Sequence, residues 1–481
     1  MAGGATQSAE QVVNVTLRVL VDKARKKVVY AEAEKDFVDV LLSFLTLPLG
    51  TIARLVSKES NIEAVKFNSI SSLYQSVSDL KEEYLWNKAC KEMLIKPGNS
   101  MEAYCHQLKL NIDETEPLQY LCEYPFCRLV RNSWSIFYKQ KCKCGMLFNS
   151  GPVVIDDMTC VPDGFVKETA SFIIRDDLYV MPNHLRTSVC LLKKHGINDL
   201  ANTEKKTLLI TKKEVVDLLK LSLLSKTPIT DFILKNKNFL CNSNPKFQSK
   251  IRIGKDLPSD SDEAKKNMVV ILMVRKSNTK VLFATAEEDF ADFLFSFLAF
   301  PLGVLQMLEG LSSLSSIDGL YRSMTELNLK NKLCSPGIFP TFQLRNQILP
   351  IGTSELSYKL NGKLLNYDDP KPTLSGGYVR GPLTILVTDD LVVTPISSID
   401  AVSYLEKLKV PLDDLKEMVI SIGVKEGLSI LKASSTTTCA LTNGLKPYIG
   451  SKPVRANSTS NAALTDIPSY NLKKPKVENE A

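Results

Sequence analysis

The chain has 481 residues, 44% hydrophobic and 23% charged, with a formal net charge of +7. That is a globular composition, which excludes an intrinsically disordered chain, and the length exceeds one ordinary core, so two or more domains are expected. No run of eighteen apolar residues occurs, which argues against a membrane span, and so modest a charge is not by itself a nucleic-acid footprint.

The opening MAGGATQSAEQ has neither a basic n-region nor an apolar h-region. A cytoplasmic or nuclear protein is therefore expected, not a secreted one. Residues 1–14 read as a frayed tail. TLRVLVDKARKKVVYAEA reads as strands over 17–21 and 27–32 joined by a charged turn. A helix follows, with Asp36 as a candidate N-cap and Asp39 acidic in its first turn. Phe37, Leu41, Phe44 and Leu45 fall on one apolar face. Pro48 ends this helix or starts the next, and Gly50 follows at a sharp corner. Helices are expected over 51–57 and 73–80. After an insertion at 98–163, residues 165–182 read as a strand, a turn at Asp176-Asp177 and a second strand. A helix over 185–194, a strand near 207–210 and a helix over 214–224 complete the half.

The same order then recurs. Residues 36–50, DFVDVLLSFLTLPLG, match residues 289–303, DFADFLFSFLAFPLG, at ten of fifteen positions. LYQSVSDL (73–80) matches LYRSMTEL (320–327), and 165–182 match YVRGPLTILVTDDLVVTP at 378–395. The pattern is a duplication. The expected fold is α+β, with two homologous halves of short antiparallel strands covered by helices and a cysteine-rich loop lobe in the first half. The expected division is a tail at 1–14, a first repeat at 15–236 with insertion 98–163, a linker at 237–266, a second repeat at 267–446 with insertion 340–377, and a disordered tail at 447–481.

Cys122, Cys127, Cys142 and Cys144 form C-x4-C-x14-C-x-C in the first insertion. Four thiolates can close one tetrahedral Zn²⁺ and order a loop too small for its own core. Gly145 permits the tight turn of a metal knuckle. Reduced, half-buried thiols are the plain alternative, and Cys105 and His106 are substitute ligands. The same insertion is basic and aromatic: Arg128, Arg131, Lys139, Lys141 and Lys143 interleave with Trp134, Phe137 and Tyr138. Such a lobe can bind phosphates and stack on bases, or its aromatics can simply pack a small core.

The pairs Asp176-Asp177 and Asp389-Asp390 could form a carboxylate site, but Asp-Asp between two β-runs reads as an exposed turn. Asp36, Asp39, Asp289 and Asp292 read as helix-start residues. His184 and His195 fall at a helix start and a helix end. GxGxxG, GxxxxGK[ST] and HExxH do not occur.

The hairpin into AEAEKDFVDVLLSFLTLPLG, the LYxS helix, the loop ending KCKCG and the TDDL-then-Pro strand pair resemble the plant family catalogued as domain of unknown function 674. The resemblance covers roughly residues 15–446. It implies a plant protein with C-x4-C and C-x-C-G cysteines matching Cys122, Cys127, Cys142 and Cys144, and it supplies no catalytic residues. The second half lacks such cysteines, so one zinc per chain is expected. The preferred reading is a non-enzymatic interaction or scaffold protein with one structural zinc and a protein partner. The alternative is nucleic-acid binding through the lobe at 124–155, and a third is an enzyme with its site between the halves.

Overall fold

In the first strand the apolar residues alternate with polar ones, burying Val15, Leu17 and Val19 and exposing Thr16 and Arg18. This strand, β1 (Val15–Asp22), pairs antiparallel with β2 (Lys27–Ala33), with a register shift at Leu20/Val21. The computed structural model describes residues 13–113, 120–131, 133–135, 139–150, 164–167, 171–234, 267–307, 315–329, 338, 344, 347–352, 359–360, 363–364, 366–367 and 376–449. The expected linker at 237–266 lies outside the described residues, as do 1–12 and 450–481 of the expected tails and parts of both insertions. The described residues between 13 and 449 belong to one compact unit.

After β2 come α1 (Lys35–Ser43), a 3-10 turn (Phe44–Thr46), α2 (Leu49–Val56), α3 (Asn68–Asp79), α4 (Lys88–Ile95) and α5 (Glu102–His106). The lobe strands are β3 (Tyr120–Cys122), β4 (Ser133–Ser135) and β5 (Phe148–Ser150). Then follow β6 (Phe172–Ile174), β7 (Val180–Pro182), α6 (Leu185–Lys194), β8 (Thr203–Ile210), α7 (Lys212–Leu224) and α8 (Pro228–Leu234). Beyond residue 266 come β9 (Met268–Arg275), β10 (Val281–Ala286), α9 (Glu288–Ser296), α10 (Leu302–Met307) and α11 (Ser315–Glu326). Three two-residue strands follow, β11 (Lys359–Leu360), β12 (Lys363–Leu364) and β13 (Asn366–Tyr367). The chain continues with β14 (Ile385–Thr388), β15 (Val393–Pro395), α12 (Ser398–Leu408), β16 (Leu415–Ile422), α13 (Val424–Thr436) and α14 (Ala440–Leu445).

The architecture is mixed α and β with antiparallel five-stranded sheets. Their orders are β7-β6-β2-β1-β8 and β15-β14-β10-β9-β16. A third sheet, β13-β4-β3-β5, carries Cys122 on β3, and in it β13 runs parallel to β4. One hydrophobic cluster reaches from Val15 to Leu445 and includes residues under both large sheets.

Two local expectations change. Glu34, not Asp36, stands at the N-cap of α1, and it makes no side-chain cap bond. The helix is also buried almost all round, Val38, Val40 and Leu42 included, so it has no single apolar face. The second PLG corner sits against the first. Leu49 N–H donates to Phe300 O at 2.9 Å, Leu302 N–H donates to Leu47 O at 2.9 Å, and Pro48 faces Pro301. A Cβ on Gly50 would stand 3.1 Å from the Leu298 carbonyl oxygen, so the glycine allows backbones to approach as well as turn.

Helices are also exchanged between the two sheets. α3 packs on β15 and α13, whereas α11 packs on β7 and α7. Ser69 Oγ donates to Thr437 O at 2.8 Å, and Ser316 Oγ donates to Ser225 O at 2.6 Å. Arg380 N–H donates to Tyr84 O at 2.8 Å, and Trp86 N–H donates to Tyr378 O at 3.1 Å.

Candidate metal centre

Strand β3 delivers Cys122, and a π-helical turn, Cys127–Arg131, begins on the next cysteine. The other two sit at the tip of a hairpin. Lys139 N–H donates to Phe148 O, Phe148 N–H donates to Gln140 O, and Lys141 faces Leu147. Inside that frame Cys142 N–H donates to Met146 O at 2.7 Å and Gly145 N–H donates to Cys142 O at 2.8 Å. Gly145 has φ +89°, a left-handed conformation that costs a glycine little, so the loop folds back sharply after Cys144. Glu123 N–H donates to Leu147 O, which fastens the hairpin to the β3 side.

The four sulfurs lie within 4.8 Å of one another, and Cys122 Sγ and Cys144 Sγ are 3.5 Å apart. A disulfide needs about 2.05 Å, so these are separate thiols. A tetrahedral Zn²⁺ with bonds of about 2.3 Å sets its sulfurs roughly 3.8 Å apart, inside the observed spread. The donor set fits a soft, four-coordinate ion, and with all four positions taken by protein it would be closed. Among the described residues this is the single group of three or more His, Cys, Asp or Glu arranged this way.

The surroundings are those of a minimal core. Cys122, Cys127 and Cys142 are buried with Phe148, with Tyr120 packed alongside. Cys144 lies on the exposed side. Burial pushes the Cys122 thiol up, while the Met146 backbone N–H, above all, brings Cys144 down to about 7. Arg128 donates from Nε to Cys122 O at 3.3 Å and from Nη2 to Glu123 O at 3.1 Å, so it ties the turn to the strand.

The other expected lobe residues divide. Lys139, Lys141 and Lys143 are exposed. Arg131 closes the turn after Cys127. Trp134 is fully buried in β4, between β3 and β13, so it offers no ring face for base stacking. Phe137 and Tyr138 lie outside the described residues. Cys105 and His106 are no substitute ligands. Cys105 is buried in the main core beside Thr46 Oγ1 at 3.5 Å, with its thiol pushed up to about 12 by burial. His106 pairs with Glu102 at 3.7 Å.

The acidic pairs correct a further expectation. Asp176 and Asp389 are buried, not exposed turn residues. Asp176 accepts Thr230 N–H at 2.8 Å and Thr230 Oγ1–H at 2.7 Å; Asp389 accepts the same two groups of Thr442 at 2.7 and 2.9 Å. Each threonine oxygen in turn accepts a strand amide, from Val28 or Val281, at 2.9 Å. Asp39 and Asp292 are fasteners too. Asp39 Oδ1 accepts Phe165 and Val166 N–H at 2.9 and 3.0 Å, and Asp292 Oδ1 accepts Tyr378 and Val379 N–H at 2.8 and 2.9 Å. Burial raises Asp39, Asp176 and Asp389, and the bonds they accept oppose it. The matched glycines of GFV (164–166) and GYV (377–379) were the available signal for the Asp39 and Asp292 contacts. His184 and His195 stand at the N-cap and C-cap of α6, as expected.

The chain belongs to the family described as Protein of unknown function (DUF674), whose model matches residues 11–425. No curated protein and no solved structure matches it.

Proposed function

We propose that this protein is a non-enzymatic interaction or scaffold protein whose cysteine lobe is closed by one structural Zn²⁺ on Cys122, Cys127, Cys142 and Cys144. The carrying observation is the convergence of four sulfurs within 4.8 Å. A zinc ion there supplies folding energy to a lobe whose buried cluster beside the cysteines is small. Every cysteine among the described residues is a free thiol, which suits a cytoplasmic or nuclear location. No helix among the described residues is long and apolar enough to cross a membrane.

Binding rather than catalysis is favoured by the carboxylates. Asp39, Asp292, Asp176 and Asp389 are each spent on backbone amides, which is a structural task. A protein partner is favoured by an exposed apolar patch on the second large sheet. Ile271 and Val419 face each other in register at 38% and 63% exposure, and Val269 beside them is 62% exposed. Nucleic-acid contact through Arg128, Arg131, Lys139, Lys141 and Lys143 is the weaker reading, because Trp134 is buried and Arg128 is engaged on carbonyls.

The two sheet-bearing units, 15–236 and 267–446, are read as products of one duplication. Equal strand order and paired bonds such as Asp39–Phe165 and Asp292–Tyr378 support this. The functional reading is tested by limited proteolysis with and without a zinc chelator under reducing conditions. Cleavage should appear within 120–150 on chelation while the rest stays resistant. A cleavage pattern unchanged by the chelator would count against it.

A further inference from the structure

A cavity of about 770 Å³ opens between α3 and β15, at the junction of the exchanged helix with the second large sheet. Its lining includes Gln75, Asp79, Leu80, Asp390, Val392 and Pro395. That volume falls in the range of small-molecule sites, roughly 300–1,000 Å³. The corresponding junction on the other side, α11 against β7, holds a half-buried tyrosine among three charged side chains. By the offsets of the repeated segments, Tyr179 stands there in place of Val392, Arg322 in place of Gln75, Glu326 in place of Asp79 and Arg175 in place of Thr388.

The α11 side shows which contacts this geometry can make. The Tyr179 hydroxyl donates to Glu326 Oε1 at 3.1 Å. The guanidinium carbons of Arg175 and Arg322 lie 5.3 and 5.9 Å from its ring centroid, within cation–π range. On the open side the acidic acceptor remains as Asp79, which takes a bond from Gln75 Nε2 at 2.8 Å. Asp390 remains too, in the place of Asp177, and accepts Ser72 Oγ–H at 3.1 Å. The ring and both guanidinium groups are missing, replaced by valine, glutamine and threonine.

We propose that this cavity binds a small hydroxylated aromatic molecule. Its ring takes the space that the Tyr179 side chain takes on the other side, against Val392, Pro395 and Leu80. Its hydroxyl donates to Asp79, as Tyr179 donates to Glu326. The carboxylates of Asp79 and Asp390 favour a hydroxyl donor over an anion, although Lys66 and Lys81 also line the cavity and moderate that preference.

The test uses 4-ethylphenol as probe and ethylbenzene as its hydroxyl-free match, with binding to the full chain followed by ligand-observed NMR. Saturable binding of 4-ethylphenol is expected, with ethylbenzene at least several-fold weaker. Val392→Tyr should fill the cavity and lower the affinity at least tenfold. Gln75→Trp covers the mouth from an exposed helix position and should do the same, so the test survives if Val392→Tyr misfolds. Asp79→Asn should weaken 4-ethylphenol several-fold and leave ethylbenzene unchanged. Absence of saturable 4-ethylphenol binding at millimolar concentration, or undiminished binding by Gln75→Trp, would overturn the proposal.

Discussion

The Ser76 hydroxyl accepts the backbone N–H of Val393, 317 residues away, at 3.0 Å. Ser323 does the same for Val180 at 2.7 Å. Each hydroxyl also donates to a carbonyl one turn earlier in its own helix, Ser72 or Gly319, at 2.9 Å. β7 and β15 are the edge strands of their sheets, and an uncovered edge invites pairing with other chains. Each edge is covered by a helix that belongs in sequence with the other sheet. The exchange thus satisfies edge amides and joins the two units in one step.

Removing either hydroxyl should be costly. Ser76→Ala leaves the Val393 N–H buried without its acceptor, and such a loss costs about 1–3 kcal/mol. Ser323→Ala should cost a similar amount at Val180. Urea unfolding measures both, and a midpoint unchanged in either variant would contradict the role assigned to that bond.

The exchange also predicts the behaviour of separated halves. Residues 15–236 alone keep edge strand β7 but lose α11, so they should aggregate or remain partly folded. Mixing them with 267–446 should restore a cooperative complex. A monomeric 15–236 fragment with sharp unfolding by itself would count against interdependence.

At Gly377 a methyl group would overlap Asp292 Oδ2, which sits beside the oxygen that takes two backbone amides. Gly377→Ala should destabilise by about 1–3 kcal/mol from overpacking, or more if the carboxylate is displaced from both amides. Gly164→Ala meets Asp39 in the same way and adds the strain of φ +74°. Thermal unfolding of the two variants checks this; a loss at Gly164 no larger than at an exposed helical glycine would refute it.

Asp318 gives a pH prediction. Burial, chiefly, raises its carboxyl to about 6. The folded state then holds a proton that the unfolded chain has already lost between about pH 4 and 6, where the unperturbed carboxyl titrates. Stability should fall as pH rises through that window and level off above it. Asp318→Asn should remove this contribution and raise the midpoint at pH 7 relative to pH 4. Parallel pH profiles for the two proteins would contradict the assignment.

Much of the local structure was legible. Alternation in TLRVLV and the turn chemistry of DKARK locate the first hairpin, because strand faces repeat every two residues. The spacing of Cys122, Cys127, Cys142 and Cys144, with Gly145 after them, marked a set that the fold brings together. What stayed hidden was partnership. The pattern of LYQSVSDL shows which face of α3 is apolar, not that β15 covers it. Asp39 and Asp176 look like a helix-start residue and a turn residue: the repeated glycine before Phe165 marks a close approach without naming Asp39 as its partner, and spacing carries no sign of the distant Thr230 amide. Trp134 among basic residues has the composition of a stacking surface, and only its place between β3 and β13 reveals it as core.

The proposed binding of one zinc ion by four thiolates has a direct readout. It is tested most directly by the zinc content of protein purified under reducing conditions without chelator, beside Cys142→Ser. One zinc per chain is expected in the wild type and much less in the variant, with the main unfolding transition of the variant retained. Zinc near zero in the wild type, or the same stoichiometry in both proteins, would contradict the account.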